Sequence, residues 1–109
     1  MRVKTSLIAI ERYWELKKAN HPQYVVNENT LLGLGYALFF ANKLQDAIEV
    51  MKLAVQENPK YWNAYDTLGE MYMHSGDKQR AIENYEKSIE LNPDSQNGIR
   101  MLKKLKQQN

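Results

Sequence analysis

A step of 34 residues relates two stretches of this chain, and it limits the folds that the chain can adopt. Identical residues recur at that step, among them seven pairs: Leu34 and Leu68, Gly35 and Gly69, Ala47 and Ala81, Ile48 and Ile82, Glu49 and Glu83, Asn58 and Asn92, and Pro59 and Pro93. A fixed period of this length indicates a repeat architecture. Because one repeat cannot bury its own apolar face, we expect the copies to stack into a single domain.

The second copy shows what the repeated unit is. Between Trp62 and Ser75, apolar and small residues follow the i, i+3, i+4, i+7 spacing of one helix face: Tyr65, Leu68, Gly69 and Tyr72. Gly76 is a helix stop and Asp77 is an N-cap for a second helix. Pro93 ends that second helix, because the residue before a proline is pushed out of helical geometry. The unit is therefore two helices joined by a tight turn, with Ala81, Ile82, Tyr85, Ser88 and Ile89 on the inward face of the second helix.

The flanks of the two copies extend the same pattern. The motif "AIERY" at residues 9–13 is similar to "AIEVM" and "AIENY" at the start of the two second helices. A helix from about Val3 to Ala19 is therefore interpreted as half of a degenerate leading repeat. At the other end, Ile99, Leu102 and Leu105 lie on one side of a capping helix with a polar back. The predicted divisions are residues 1–27, 28–61, 62–95 and 96–109, in an all-α fold of about six helices.

Composition excludes several classes of function. The net charge is only +2, which argues against strong attraction of the whole chain to nucleic acid or to a membrane surface. The four basic residues from Arg100 to Lys106 have no interleaved aromatics, so we interpret them as a solvated cap. The chain has no cysteine, which excludes disulfides and thiolate zinc sites. We read no signal peptide, and so expect a cytoplasmic protein, or an extracytoplasmic one if this domain comes from a longer secreted protein.

No catalytic or cofactor site is predicted. Gly33 and Gly35 resemble a nucleotide loop, but the third glycine of that motif would fall at Leu38 and no strand precedes it. Gly35 is instead the small residue that lets the partner helix approach. His21 and His74 are interpreted as structural or exposed rather than as metal ligands. The absence of any catalytic constellation predicts that the chain is not an enzyme.

These residues resemble the tetratricopeptide repeat, whose pattern is W-x2-L-G-x2-Y…A-x3-F…P. The second copy carries it at Tyr65, Leu68, Gly69, Tyr72, Ala81, Tyr85 and Pro93, and the first at Leu31, Leu34, Gly35, Leu38, Ala47, Met51 and Pro59. The resemblance implies a right-handed α-solenoid of antiparallel helix pairs, with a protein or peptide partner bound in a concave groove formed by the first helices. The chain also resembles the tetratricopeptide tails of some bacterial serine hydrolases, which would make it an accessory domain of a larger hydrolase.

The repeat register predicts which residues face that groove. They are Asn29, Leu32, Tyr36, Phe39 and Phe40 in the first copy, Asn63, Asp66, Glu70, Met73 and His74 in the second, and Arg100 and Lys104 in the last helix. Asp66 and Glu70 are expected to form ion pairs with Arg100 and Lys104. The family mode that holds a terminal carboxylate wants Lys and Asn where this chain has Leu32 and Tyr36, so another mode is expected.

The aromatic end of this surface admits three interpretations. It could bind a partner, because exposed apolar patches mark interfaces. It could mediate self-association into a homodimer. Alternatively, the first helix or the loop at Tyr24, Val25 and Val26 could fold over it. Phe39→Asp is expected to leave the fold intact and to abolish association if either of the first two interpretations holds.

Overall fold

The computed structural model describes residues 5–19 and 26–107, and these residues form six helices without a strand. The helices are α1 Thr5–Ala19, α2 Glu28–Phe40, α3 Leu44–Glu57, α4 Trp62–Ser75, α5 Lys78–Leu91 and α6 Gln96–Gln107. The all-α prediction is thus confirmed. The expectations for Val3, His21, Tyr24 and Val25 lie outside the described residues.

The two helix pairs share one turn geometry, 34 residues apart. Asn42 has a φ of 63° after α2, and Gly76 has a φ of 87° after α4. Glycine enters this left-handed region freely, and asparagine is among the few other residues that tolerate it. The same backbone bond closes both turns, from Lys43 N to Leu38 O at 2.9 Å and from Asp77 N to Tyr72 O at 3.0 Å. The predicted helix stop at Gly76 is confirmed.

Asn-Pro pairs end both second helices, as the sequence predicts. α3 ends at Glu57 and α5 at Leu91, one residue before the asparagine in each case. The short connection to the next first helix is closed from Tyr61 N to Asn58 O at 3.0 Å and from Ser95 N to Asn92 O at 3.1 Å. Two copies with the same turn and the same connection place α4 and α5 on α3 as one repeated stack.

A glycine brings the two helices of each pair together. A Cβ placed on Gly35 would lie 2.5 Å from Met51 Sδ, and one on Gly69 would lie 3.1 Å from the nearest atom of the Tyr85 ring. Met51 and Tyr85 are themselves fully buried. The two glycines are therefore where a bulky side chain of the second helix meets the backbone of the first, which confirms the packing role expected for Gly35.

α1 lies parallel to α3. Near its start, Ser6 N donates to Asp46 Oδ1 at 3.1 Å, and near its end Lys17 Nζ contacts Glu57 Oε1 at 2.7 Å. Tyr13 is buried in the main hydrophobic core with residues of α2, α3 and α4. This direction matches that of a second helix of a leading repeat. However, Leu34 of α2 is only partly buried, whereas its equivalent Leu68 in α4 is 3% exposed.

Candidate functional site

Four rings from α2 and α4 form one aromatic cluster on the surface of the first helices. Phe39 contacts Phe40 edge to face with ring centroids 5.4 Å apart, and contacts His74 of α4 in the same way at 5.0 Å. Tyr36 stacks on Phe40 at 6.1 Å. The Tyr36 hydroxyl also lies 3.2 Å from Thr67 Oγ1, which joins the cluster to the neighbouring helix. The aromatic cluster thus spans the α2–α4 junction as one patch.

Phe40 is the open end of the aromatic cluster. Its side chain is 78% exposed, so neither α1 nor any other helix of the described residues folds over it. Phe39 is partly buried and packs against the main core. Phe39→Asp would therefore disturb the core as well as the surface, and Phe40 is the cleaner position at which to test association.

The two expected ion pairs are wrong. Within the described residues, Asp66 accepts a hydrogen bond from Asn97 Nδ2 at 3.0 Å instead of pairing with Arg100. Arg100 Nη2 donates to Asn97 Oδ1 at 3.0 Å, so Asn97 joins the two charged residues without a direct contact. Glu70 and Lys104 form no ion pair either.

The repeat symmetry itself explains why these pairs fail. Equivalent positions of stacked copies face the same way, so Asp66 faces α6 whereas Arg100 on α6 faces solvent. Contacts between neighbouring first helices therefore join non-equivalent positions. Tyr36 meets Thr67 and Asp66 meets Asn97, both 31 residues apart rather than 34.

Burial changes the acid–base properties of this region. Asp66 is only 8% exposed, and burial raises the pKa of its carboxyl above the ordinary 3.8, against the opposing effect of the Asn97 hydrogen bond. Burial likewise raises the pKa of Glu70 above 4.5, while nearby His74 lowers it. The pKa of the Tyr85 hydroxyl is raised by burial and by the adjacent Asp66 and Glu70. Two carboxyl groups of α4 thus lie near the aromatic cluster, with Glu70 close to both Asp66 and His74.

Asp66→Asn should reduce the pH dependence of stability. An acid whose pKa is higher in the folded than in the unfolded state makes the folded state bind more protons, so stability falls as pH rises through the folded pKa. We expect the free energy of unfolding of the wild-type chain to decrease between about pH 4 and pH 7 more than that of the variant. Urea unfolding followed by circular dichroism at several pH values measures this difference.

Asp94→Asn is the matched control, because Asp94 is exposed. Its pH dependence should follow that of the wild type. An Asp66→Asn profile that coincides with the wild-type profile would contradict the assignment.

The remaining predicted residues are divided between surface and core. Leu32 packs against the main core and Met73 against the smaller cluster of α5 and α6. Asn29 accepts a hydrogen bond from the Tyr61 hydroxyl, and Asn63 is partly buried. Arg100 and Lys104 are exposed. The structure therefore brings together the four aromatic cluster residues, and separately links Asp66 with Arg100 through Asn97.

Two residues that contact the predicted surface residues were not themselves predicted: Thr67, which is buried, and Asn97. The signal for Asn97 was available, because Asn29, Asn63 and Asn97 stand at successive steps of 34 residues. Thr67 had no such signal, since its equivalent in the first copy is Gly33. Among the described residues, no group of three or more His, Asp or Glu side chains could hold a metal ion. Over the same residues, no helix has the length and apolar character that crossing a membrane requires.

Comparison with known proteins identifies the repeat. A family model described as tetratricopeptide repeat matches residues 62–95, the stretch that the 34-residue step assigns to the second copy. Cellulose synthase operon protein C of Escherichia coli (strain K12) is 41% identical over 51 residues, as is its putative counterpart in E. coli O157:H7. These matches cover 47% of this chain but only 4% of those much longer proteins.

Solved structures agree with this identification. The crystal structure of MamA protein is 30% identical with a TM-score of 0.69, over 72% of this chain and 43% of that one. The first TPR of Spaghetti (RPAP3), bound to the HSP90 peptide SRMEEVD, has a TM-score of 0.70 over 98% of this chain and 94% of that one. Its 21% identity supports the shared fold alone.

Proposed function

Because residues 62–95 are a tetratricopeptide repeat and the chain has the fold of such proteins, we propose that it is a non-catalytic interaction module. The partner would be a peptide or a helix of another protein, bound along the surface of the first helices α2, α4 and α6. The observation that carries the proposal is the 78% exposure of Phe40 within the aromatic cluster.

The aromatic cluster supplies what an anchoring site needs. Tyr36 and Phe39 hold the ring of Phe40 from two sides, so its exposed face is positioned before any partner arrives. A rigid aromatic platform binds an apolar side chain with little loss of side-chain entropy. Aromatic residues are also enriched among the few residues that dominate binding energies at interfaces. The corresponding residue of the second copy is His74, so the apolar site lies at the α2 end of the surface.

The charge beside the aromatic cluster restricts the partner's chemistry. Glu70 is partly buried and lies next to the buried carboxyl of Asp66. A cationic side chain placed there would be attracted, and an acidic one would be repelled. We therefore expect a segment with an apolar or aromatic anchor followed by Lys or Arg. An acidic peptide such as SRMEEVD, to which the RPAP3 repeat is bound, would be a poor ligand for this surface.

Peptides selected from a phage-displayed library on the wild-type chain test this proposal. The selected sequences should share an apolar anchor with a neighbouring basic residue. Phe40→Ser should weaken binding of a synthetic consensus peptide by roughly 10- to 100-fold, because loss of a central anchor costs about 2 kcal/mol or more. Isothermal titration calorimetry measures the affinity.

Ile99→Ser is the matched control. Ile99 is likewise an exposed apolar residue, at 40% exposure, but it lies on α6 and is not part of the aromatic cluster. Its binding should remain that of the wild type, and both variants should keep the wild-type melting curve. Equal affinity of the consensus peptide for Phe40→Ser and the wild type would refute the proposed site.

A further inference from the structure

A second apolar surface lies between α1 and α2. It is a cleft of about 510 Å³, lined from α1 by Ile8, Arg12 and Leu16 and from α2 by Thr30, Gly33 and Leu34. We name it the N-terminal cleft. Gly33 is exposed within it, and a Cβ placed on this glycine would meet no atom within 4 Å. The aromatic cluster takes no part in lining it.

The equivalent face of the next repeat is completely covered. The residues 34 positions after Thr30, Gly33 and Leu34 are Ala64, Thr67 and Leu68, which are 0%, 1% and 3% exposed. They are buried because α2 and α3 both pack on that side of α4. Among the described residues, α1 is the element that lies near the same face of α2, and α1 packs more extensively on α3 than on α2. α2 therefore has the face that packs against a preceding repeat, but no first helix among the described residues covers that face.

The α1 wall of the cleft is apolar as well. Ile8, which lines it, is 56% exposed, and Leu16 is half-buried. Asp46 occupies the place of Ile8 in α3, as the alignment of "AIERY" with "AIEVM" places it. An exposed apolar group beside an apolar cleft indicates a surface that a partner covers.

We propose that the N-terminal cleft is the docking site for one amphipathic helix of a partner protein. The docked helix would lie alongside α2 as α2 lies alongside α4. It would take the place of the first helix of a preceding repeat in the stack. This inference does not rest on the proposed function, because the cleft and the aromatic cluster are different surfaces.

The lining of the cleft favours a helix over an extended peptide. The walls are helices whose backbone groups are already hydrogen-bonded, and their side chains offer few polar groups. An extended segment would leave its own N–H and C=O groups without partners in this apolar setting, at a substantial energetic cost. A helix satisfies its backbone internally. Among the described lining residues, Arg12 carries a charge and is paired with Glu15, so an acidic residue on the flank of the docked helix would be favoured.

The chemistry of the helix follows from the two complete repeats. In each, the first helix presents a glycine to a bulky residue of the second helix, Gly35 to Met51 and Gly69 to Tyr85. Tyr13 is the corresponding residue of α1 and lines the cleft. The docked helix should therefore have a small residue at its centre, with apolar residues three and four positions away.

The chain's own last helix does not meet this requirement. α6 has Lys103 at the position of Gly69 and Lys106 at the position of Tyr72. Insertion of α6 from a second copy would force a lysine against the Tyr13 side chain and bury its charge, which is costly. A partner protein is therefore the occupant that the residues favour.

The test uses the full chain and a fluorescein-labelled synthetic peptide of residues 62–75, a first helix with Gly69 at its centre. We expect saturable binding by fluorescence anisotropy, weak because an isolated helix of this length is only partly formed. The peptide should become more helical on binding. Gly33→Met in the protein should weaken binding by roughly tenfold or more by filling the cleft, and Gly69→Lys in the peptide should do the same.

Gln56→Met is the matched control, since Gln56 is an exposed residue of α3 outside the cleft. It should bind like the wild type. Phe40→Ser should keep binding this peptide even where it loses the library peptides, which separates this proposal from the proposed function. Absence of binding, or equal binding to Gly33→Met in a protein that melts normally, would overturn the proposal. Dimerisation in sedimentation equilibrium that Gly33→Met abolishes would also overturn it, by assigning the cleft to a second copy.

Discussion

Replacing Tyr85 with alanine should lower the free energy of unfolding by about 3–5 kcal/mol, the range seen when a large buried aromatic residue is truncated. The Tyr85 side chain is fully buried, lies against Gly69 of α4 and centres the smaller core cluster with Ala81 and Leu105. Because domains of this size are stable by only about 5–15 kcal/mol, the loss is a large fraction of the total. Urea unfolding followed by circular dichroism measures it.

Tyr85→Phe is the matched control and should behave differently. The Tyr85 hydroxyl is buried and has no hydrogen-bond partner among the described residues. Removing an unbonded buried hydroxyl relieves a desolvation cost, so the variant should be as stable as the wild type or more so. A loss above about 1.5 kcal/mol would mean that the hydroxyl is bonded in solution.

Alanine at Gly35 and alanine at Gly33 should have opposite effects, although the two glycines are two residues apart in one helix. Gly35→Ala places a methyl group 2.5 Å from Met51 Sδ in a fully buried contact. Overpacking of this kind costs about 1–3 kcal/mol. Gly33→Ala meets open space, so the lower backbone entropy of alanine in the unfolded chain should stabilise the protein by about 0.5–1 kcal/mol.

Thermal and urea unfolding of the two single variants measure the difference, and the double variant provides the control. The two side chains would point to different faces of α2, so the effects should add within about 0.5 kcal/mol. Stabilisation by both substitutions would show that Met51 moves aside at little cost. Destabilisation by both would show that the N-terminal cleft is closed in solution.

The repeat made the fold predictable from the sequence. At some positions the packing or the backbone geometry admits few residue types, and those positions recur at a fixed step. They are Gly35 and Gly69, and Pro59 and Pro93. The equivalence of Asn42 and Gly76 is harder to see in the sequence, because the two residue types differ. Both nevertheless take the left-handed conformation after the first helix of their copy. Local requirements of this kind are visible in one sequence, which is why the bounds of α4 were predicted to the residue.

The placement of α1 was less predictable. Its "AIERY" motif indicated a second helix, and its direction along α3 agrees. How closely α1 packs on α2 depends on whether another helix fills the N-terminal cleft between them, and none of the described helices does. A local sequence pattern cannot encode this distance. Leu34 was accordingly expected in the core, yet it lines the N-terminal cleft.

The candidate site was predicted in part. Comparison of the copies identified the aromatic cluster, since Phe39 and Phe40 stand where the second copy has Met73 and His74. The partners of Asp66 were wrong because equivalent positions were assumed to face each other. The 34-residue period shows which residues of the copies are equivalent. The direction in which each side chain points depends instead on its position around its helix.

The contacts that join the helices link neighbouring repeats, and this affects how the chain folds. The Tyr36–Thr67 and Asp66–Asn97 contacts each span 31 residues, and the Tyr13–Glu57 contact spans 44. A stack held together by contacts between neighbours can nucleate at one helix pair and grow outward. We expect α1 to become ordered after α3, because α1 packs more extensively on α3 than on α2. A partner helix bound at the α1 end would then add one more helix to the stack, in the same way as each helix adds to its neighbour during folding.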